Sequence, residues 1–125
     1  MDYLLDSNII IYATKPANHF LRKFISENTP FVSALSYLEV LGYHNLDKDE
    51  KKYFEIFFNA SDLLPLSKEV LDIAVNLRQK QKMTIGDSLI AATSIRYNLT
   101  LITRNTKDFS WVKELHIINP FETKL

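Results

Sequence analysis

Residues 3–12 read YLLDSNIIIY, an apolar stretch with Asp6, Ser7 and Asn8 at its centre. YLLD (3–6) has the composition of a buried strand, and that strand ends on a carboxylate. A buried, unpaired charge is costly, so Asp6 needs a partner, a metal or a solvated cleft. The rest of the chain is read by asking what could keep Asp6 company.

Working outward, short apolar segments alternate with amphipathic ones. PANHFLRKFISEN (16–28) has helical spacing, with Pro16 at its start and Phe20, Leu21, Phe24 and Ile25 on one face. PFVSA (30–34) reads as a strand and LSYLEVLGYH (35–44) as a helix. Asp47 and Glu50 have the spacing of a capping box that opens the next helix, with Tyr53, Phe54 and Phe57 inward. DLLPL (62–66) is strand-like, and Pro65 confines it to an edge or an end. Ser67 caps a helix to about Lys82, with Val70, Ile73, Ala74 and Leu77 at helical spacing. A last helix runs from about Gly86 to Tyr97, and TLIT (100–103) and HIIN (116–119) complete the strands. This alternation predicts a single α/β domain: a parallel sheet of about five strands with helices on both faces. Ligands of such sheets collect at the carboxyl ends of the strands. Asp6 ends the first strand, and Thr103, Arg104 and Asn105 follow TLI, so these groups belong on one edge.

Composition narrows the chemistry. The 125 residues carry 15 Lys plus Arg against 15 Asp plus Glu, so no net charge draws the chain to a polyanion. There is no cysteine, which excludes disulfides, thiolate metal sites and a Cys nucleophile. Only Gly42 and Gly86 are glycine, too few for a glycine-rich phosphate loop. No 18-residue apolar run is present, and the first residues lack the layout of a signal peptide. The expectation is a cytoplasmic protein with no membrane contact. His19, His44 and His116 have no metal-ligand spacing and read as structural.

Three further acidic residues interrupt apolar patterns: Glu39 in LSYLEVLGY, Asp87 in TIGDSLIAA, and Asp108 in TRNTKDF. Carboxylates that converge repel one another, and a divalent cation resolves the repulsion. An all-oxygen set suits Mg²⁺ or Mn²⁺ better than zinc. Each residue also has a purely structural reading. Glu39 stands where Ser36-x-x-Glu39 would form a capping box, Asp87 does the same with Thr84, and Asp6 can cap the turn after its strand. The run RQKQK (78–82) is either a solvated helix face or a contact to a nucleic acid backbone.

Taken in order, LLDSNIIIY, SALSYLEVLGY, TIGDSLIAATSI and LITRNTKDF resemble the PIN-domain ribonucleases, in particular the VapC-like toxins of prokaryotic toxin–antitoxin pairs. The resemblance covers nearly the whole chain. It matches Asp6-Ser7 to the strand-end Asp and hydroxyl, Ser33 to Glu39 to the second motif, Asp87 to the third, and Thr103 to Asn105 to the fourth. It implies a metal-dependent endoribonuclease that cleaves single-stranded or loop RNA with Mg²⁺ or Mn²⁺, a homodimer, and a partner antitoxin. It implies metal held by Asp6, Asp87 and Glu39, with Asn105 and Asp108 in the catalytic set and Ser7 and Thr103 in support. Lys15, Arg104 and Lys107 are the cations nearest in sequence for holding RNA. The chain departs from the family at Asn105, where many members carry Asp. An amide oxygen still binds metal or accepts a hydrogen bond, but it adds no charge, and Asp108 is close enough in sequence to supply the missing carboxylate. Two other readings stay open: a non-catalytic PIN-fold module that binds RNA or a partner, and a receiver-type phosphoryl-transfer domain. The receiver reading needs an acidic pair at the first strand end, and Asp6 stands there alone.

Overall fold

The computed structural model describes residues 1–123. Strand β1 (Tyr3–Leu5) runs into helix α1 (Ser7–Tyr12), and a 3-10 turn at Pro16–Asn18 leads into α2 (His19–Asn28). β2 (Val32–Ser33) and α3 (Ala34–Leu41) follow, then α4 (Lys48–Asn59), β3 (Leu63–Leu64), α5 (Lys68–Lys80) and α6 (Ile85–Tyr97). The chain ends with β4 (Thr100–Ile102), the short α7 (Thr106–Phe109) and β5 (Ile117–Ile118).

All strand pairs are parallel. β4 lies between β1 and β5, and β2 pairs with β3. A bridge between Leu4 and Phe31 joins the two ladders, with Leu5 N–H donating to Phe31 O at 3.1 Å and Phe31 N–H to Tyr3 O at 2.8 Å. The result is a five-stranded parallel array in the order β3-β2-β1-β4-β5, as the alternation of strands and helices predicts. β3 forms one edge, and Pro65 follows its last residue, where the missing N–H costs no ladder bond.

Side chains alternate across a strand, and here they divide the core in two. Leu4 and Leu101 point into a cluster built with α5, α6 and the α7 segment, including Val70, Ala74, Leu77, Ile90 and Phe109. Leu5 and Ile102 point into the opposite cluster, with Ile9 and Ile10 of α1, Leu21 and Phe24 of α2, and Phe54 and Phe58 of α4. Helices therefore cover both faces.

Several expected boundaries shift. α5 stops at Lys80, because Gln81 is extended (φ −157°, ψ 151°). α3 stops at Leu41 rather than His44. On α4 the buried pair is Phe54 and Phe58; Phe57 is half-buried and Tyr53 exposed, since an i, i+4 pair aligns better with the sheet than an i, i+1 pair. On α2 Phe20 is 40% exposed and packs edge-on against Phe121 instead of the core. Two helices have no counterpart in the sequence reading, α1 and α7.

Candidate active site

The carboxyl edge of the sheet gathers the acidic residues. Asp6 follows β1 directly, and its N–H donates to Ile102 O at 3.0 Å, which ties it to the end of β4. Only 8% of Asp6 is exposed. Its Oδ2 accepts a hydrogen bond of 2.8 Å from the Thr103 hydroxyl. The same Thr103 oxygen accepts from Asn105 N–H at 3.0 Å. Asn105 in turn donates its side-chain amide to Asp108 Oδ2. One chain of bonds thus leads from β1 across the end of β4 to Asp108.

A second chain leads the other way. Ser7 is buried at the start of α1, and its hydroxyl donates to Glu39 Oε1 at 2.7 Å and contacts Ser36 Oγ at 2.8 Å. Glu39 lies against the start of α6: a Cβ added to Gly86 would stand 3.3 Å from Glu39 Oε2. Asp87 is the next residue. Its backbone N–H donates to the hydroxyl of Thr84, the N-cap of α6, at 3.0 Å. The capping box expected of Ser36 and Glu39 does not form. The N-cap of α3 is Ser33, whose oxygen accepts from Leu35 N–H at 3.0 Å, and Ser36 lies inside the helix.

Electrostatics records the crowding. Burial pushes the Asp6 carboxyl above the usual carboxylate range; the Thr103 and Ser7 bonds work against that, and Glu39 and Asp108 add to it as like charges. Asp87 is also raised, first by burial and then by the charges of Asp108 and Asp6. Among the described residues the ion pairs are Lys68–Asp72 and Arg96–Glu69, so none of the four carboxylates is in an ion pair. Burial and mutual repulsion hold the ionised forms at a disadvantage.

Whether a metal fits is answered by the donors themselves. They are oxygen only, uncompensated, and lie on one edge, which suits a hard divalent cation. Among the described residues no three His, Cys, Asp or Glu side chains are grouped closely enough to hold a metal ion. The three histidines are exposed and supply no ligand there.

Two hollows flank the carboxylates. One of about 330 Å³ is lined by Asp6, Asn8, Tyr12, Arg104 and Asn105. The Arg104 guanidinium sits 4.1 Å from the centre of the Phe121 ring and 5.4 Å from that of Tyr12, a cation–π arrangement that holds it beside the site. The other, of about 520 Å³, is lined by residues that include Asp87 and Asp108. A hollow of about 670 Å³ at the opposite end of the strands has Asp2 as its one lining carboxylate. It offers no comparable chemistry.

Sequence reasoning missed the part played by Ser36 and the closeness of Gly86 to Glu39. The spacing Ser33-x-x-Ser36-x-x-Glu39 places all three on one helical face, and that periodicity was the available signal.

Residues 3–115 match the PIN domain family. The chain is a member of the PIN-domain family. At the level of sequence this PIN domain is similar to Ribonuclease VapC of Rickettsia bellii, with 30% identity over 94% of this chain and 96% of that one. It is 32% identical to Ribonuclease VapC1 of Rickettsia felis over the same shares of each chain. Its fold matches a chain of the DNA-bound VapBC structure from Salmonella typhimurium with a TM-score of 0.82 at 17% identity, covering 94% of this chain and 97% of that one. It also matches VapBC2 from Rickettsia felis bound to promoter DNA, with a TM-score of 0.80 at 23% identity, over 95% and 98%.

Proposed function

We propose that this PIN domain is an endoribonuclease of the VapC toxin type, which hydrolyses RNA phosphodiesters with the help of Mg²⁺ or Mn²⁺. The observation that carries this reading is the uncompensated set of Asp6, Glu39, Asp87 and Asp108 at the carboxyl edge, where Asp6 and Asp87 are both raised in pKa. The naming of its relatives as ribonucleases supports it.

Asp6, Asp87 and Glu39 would hold the metal. When bound, the cation neutralises charge on the phosphate oxygens and acidifies a water. The chain's own residues do the rest. Ser7 fixes Glu39 through Oε1, which leaves Oε2 either to join Asp6 and Asp87 on the metal or to orient the water as a base. Thr103 sets the direction of the Asp6 carboxylate. Asn105 commits its amide N–H to Asp108, and its carbonyl oxygen would accept from a water of the phosphate shell. Arg104 and Lys107, next to the site in sequence, hold the RNA backbone. No side-chain nucleophile is required, in keeping with a chain that has no cysteine.

The solved relatives include toxin–antitoxin complexes, which supports a protein antitoxin as the regulator here. Leu38 and Ile85, next to Glu39 and Gly86, are 68% and 61% exposed, so apolar surface lies open beside the site for such a partner or a second copy. Among the described residues no helix is long and apolar enough to cross a membrane.

The test is cleavage of a structured RNA with Mg²⁺ or Mn²⁺, against EDTA, for wild type, Asp6→Asn and Asp87→Asn. The expected result is metal-dependent cleavage that both substitutions abolish. Cleavage by Asp6→Asn at the wild-type rate would place the activity elsewhere. Binding of RNA without any cutting would favour the binding module, a reading to which Asn105 in place of a carboxylate gives some support.

A further inference from the structure

We propose that the groove walled by Arg78, Lys82, Lys107 and Trp111 is a binding subsite for the single-stranded RNA flanking the cleaved phosphodiester. The inference builds on the nuclease reading above. The groove holds about 520 Å³ and is lined by Arg78, Gln81, Lys82, Met83 and Thr84 on one side and Lys107 and Trp111 on the other, with Asp87 and Asp108. It therefore opens onto the carboxylates. The Asn105–Asp108 bond links it to the hollow that holds Asp6 and Arg104 on their other side. A strand laid across the carboxylates enters both.

Charge and shape argue for RNA as the occupant. Three cations line the groove, and none of them is in an ion pair among the described residues. Arg78 donates Nε–H to Met83 O at 3.2 Å. That bond anchors the guanidinium at the α5–α6 turn and leaves its two terminal amino groups free to grip a phosphate. Trp111 is half-buried, packed against the core cluster and lining the groove. Such a ring is a platform for a base of any identity. An acidic peptide would satisfy the cations but leave Trp111 without a planar partner. The extended Gln81 explains why the run 78–82 reaches the site: the helix stops at Lys80, and the chain turns with Arg78, Gln81 and Lys82 along the groove.

The test is fluorescence anisotropy with a labelled single-stranded RNA of about twelve nucleotides, in EDTA, over a series of salt concentrations. Each phosphate that a variant no longer neutralises lowers the slope of log affinity against log salt by about 0.7. Lys82→Gln should lower it by about 0.7, and Arg78→Gln with Lys82→Gln by about 1.4. Arg78→Lys should keep the slope, because the charge stays although the Nε bond is removed; a merely structural Arg78 would not be rescued. With metal present, the double variant should raise KM for a long RNA roughly tenfold at unchanged kcat. It should alter cleavage of a trinucleotide less, because so short a strand cannot span both the carboxylates and the length of the groove. An unchanged salt slope overturns the subsite whether or not RNA is cut, and so does an equal loss on the trinucleotide. Loss of a protein partner with the RNA slope intact would give the groove to that partner. A wild type that never cuts RNA, with the slopes falling as stated, refutes the nuclease reading and supports the subsite.

Discussion

The hydroxyl of Thr103 makes two bonds at once: it donates to Asp6 Oδ2 and accepts from the N–H of Asn105. Thr103 is fully buried, so a side chain without a hydroxyl at that position leaves both bonds unmade. Thr103→Val keeps the shape and removes both bonds, and should cost about 1–3 kcal/mol in urea denaturation; Thr103→Ser should cost far less. A Thr103→Val protein as stable as wild type would show that the network is incidental. The carboxylates themselves oppose folding near neutral pH. Asp6 and Asp87 have folded pKa values above their unfolded ones, so between those values the folded state binds more protons. Their favourable contribution is complete below the unfolded pKa and is lost as pH rises through the folded one. Metal-free wild type should therefore lose stability over that window, and Asp6→Asn should lose less, as read by urea midpoints against pH. Equal pH profiles would mean that Asp6 is not under strain. At this scale the sequence was informative because each carboxylate broke an apolar run. It was misleading where a capping box offered itself, since Ser36 had the right spacing from Glu39 but lay one turn inside the helix.

Helices with a cap and a long periodic face were legible in advance. α4 has its capping box, with Asp47 Oδ1 accepting from Glu50 N–H at 2.8 Å, and α5 has Ser67 accepting from Val70 N–H at 3.2 Å. α1 and α7 were not legible, for physical reasons. α1 is six residues with three consecutive isoleucines, which by propensity suit a strand. It is helical because its start is anchored, with Ile9 N–H donating to Asp6 O at 3.0 Å, and because Ile9 and Ile10 bury against β1 and β4. α7 is a single turn, below the length at which periodicity can be read. α6 carries a prediction of its own. Gly86 lies in its first turn, and Gly→Ala in a helix is worth about 0.5–1 kcal/mol. The added Cβ would press on Glu39 Oε2, an exposed side-chain end that can yield. Gly86→Ala should raise the melting temperature by about 2–4 °C while slowing RNA cleavage, because Glu39 is displaced from Ser7. A variant with both properties unchanged would show that Glu39 tolerates the shift.

At the scale of the molecule, residues 6, 39, 87 and 108 come together because β1 and β4 end on one edge, where Asp6 and the Asp108 turn follow them, and because α3 carries Glu39 against the start of α6 beside them. The alternation of strands and helices made that edge foreseeable. The groove formed by Arg78, Lys82 and Trp111 was not, since it depends on how α5, α6 and α7 pack, and no local pattern encodes that. The carboxyl edge also sets a trade that can be measured. Folding gathers like charges, and a cation that binds only the folded form repays the cost by mass action. At a hundredfold excess over its dissociation constant such a cation adds about 2.7 kcal/mol, which in a chain of this length is roughly 10 °C in melting temperature. Asp6→Asn relieves the repulsion and removes a ligand together. It should melt above wild type in EDTA and below it in millimolar Mn²⁺, with the order reversing as metal is added. Differential scanning calorimetry of the two proteins across a Mn²⁺ series reads that crossing. If wild type did not respond to metal, or Asp6→Asn responded equally, the gathered carboxylates would not be a metal site. Their repulsion would then be a cost of the fold with no cation to offset it.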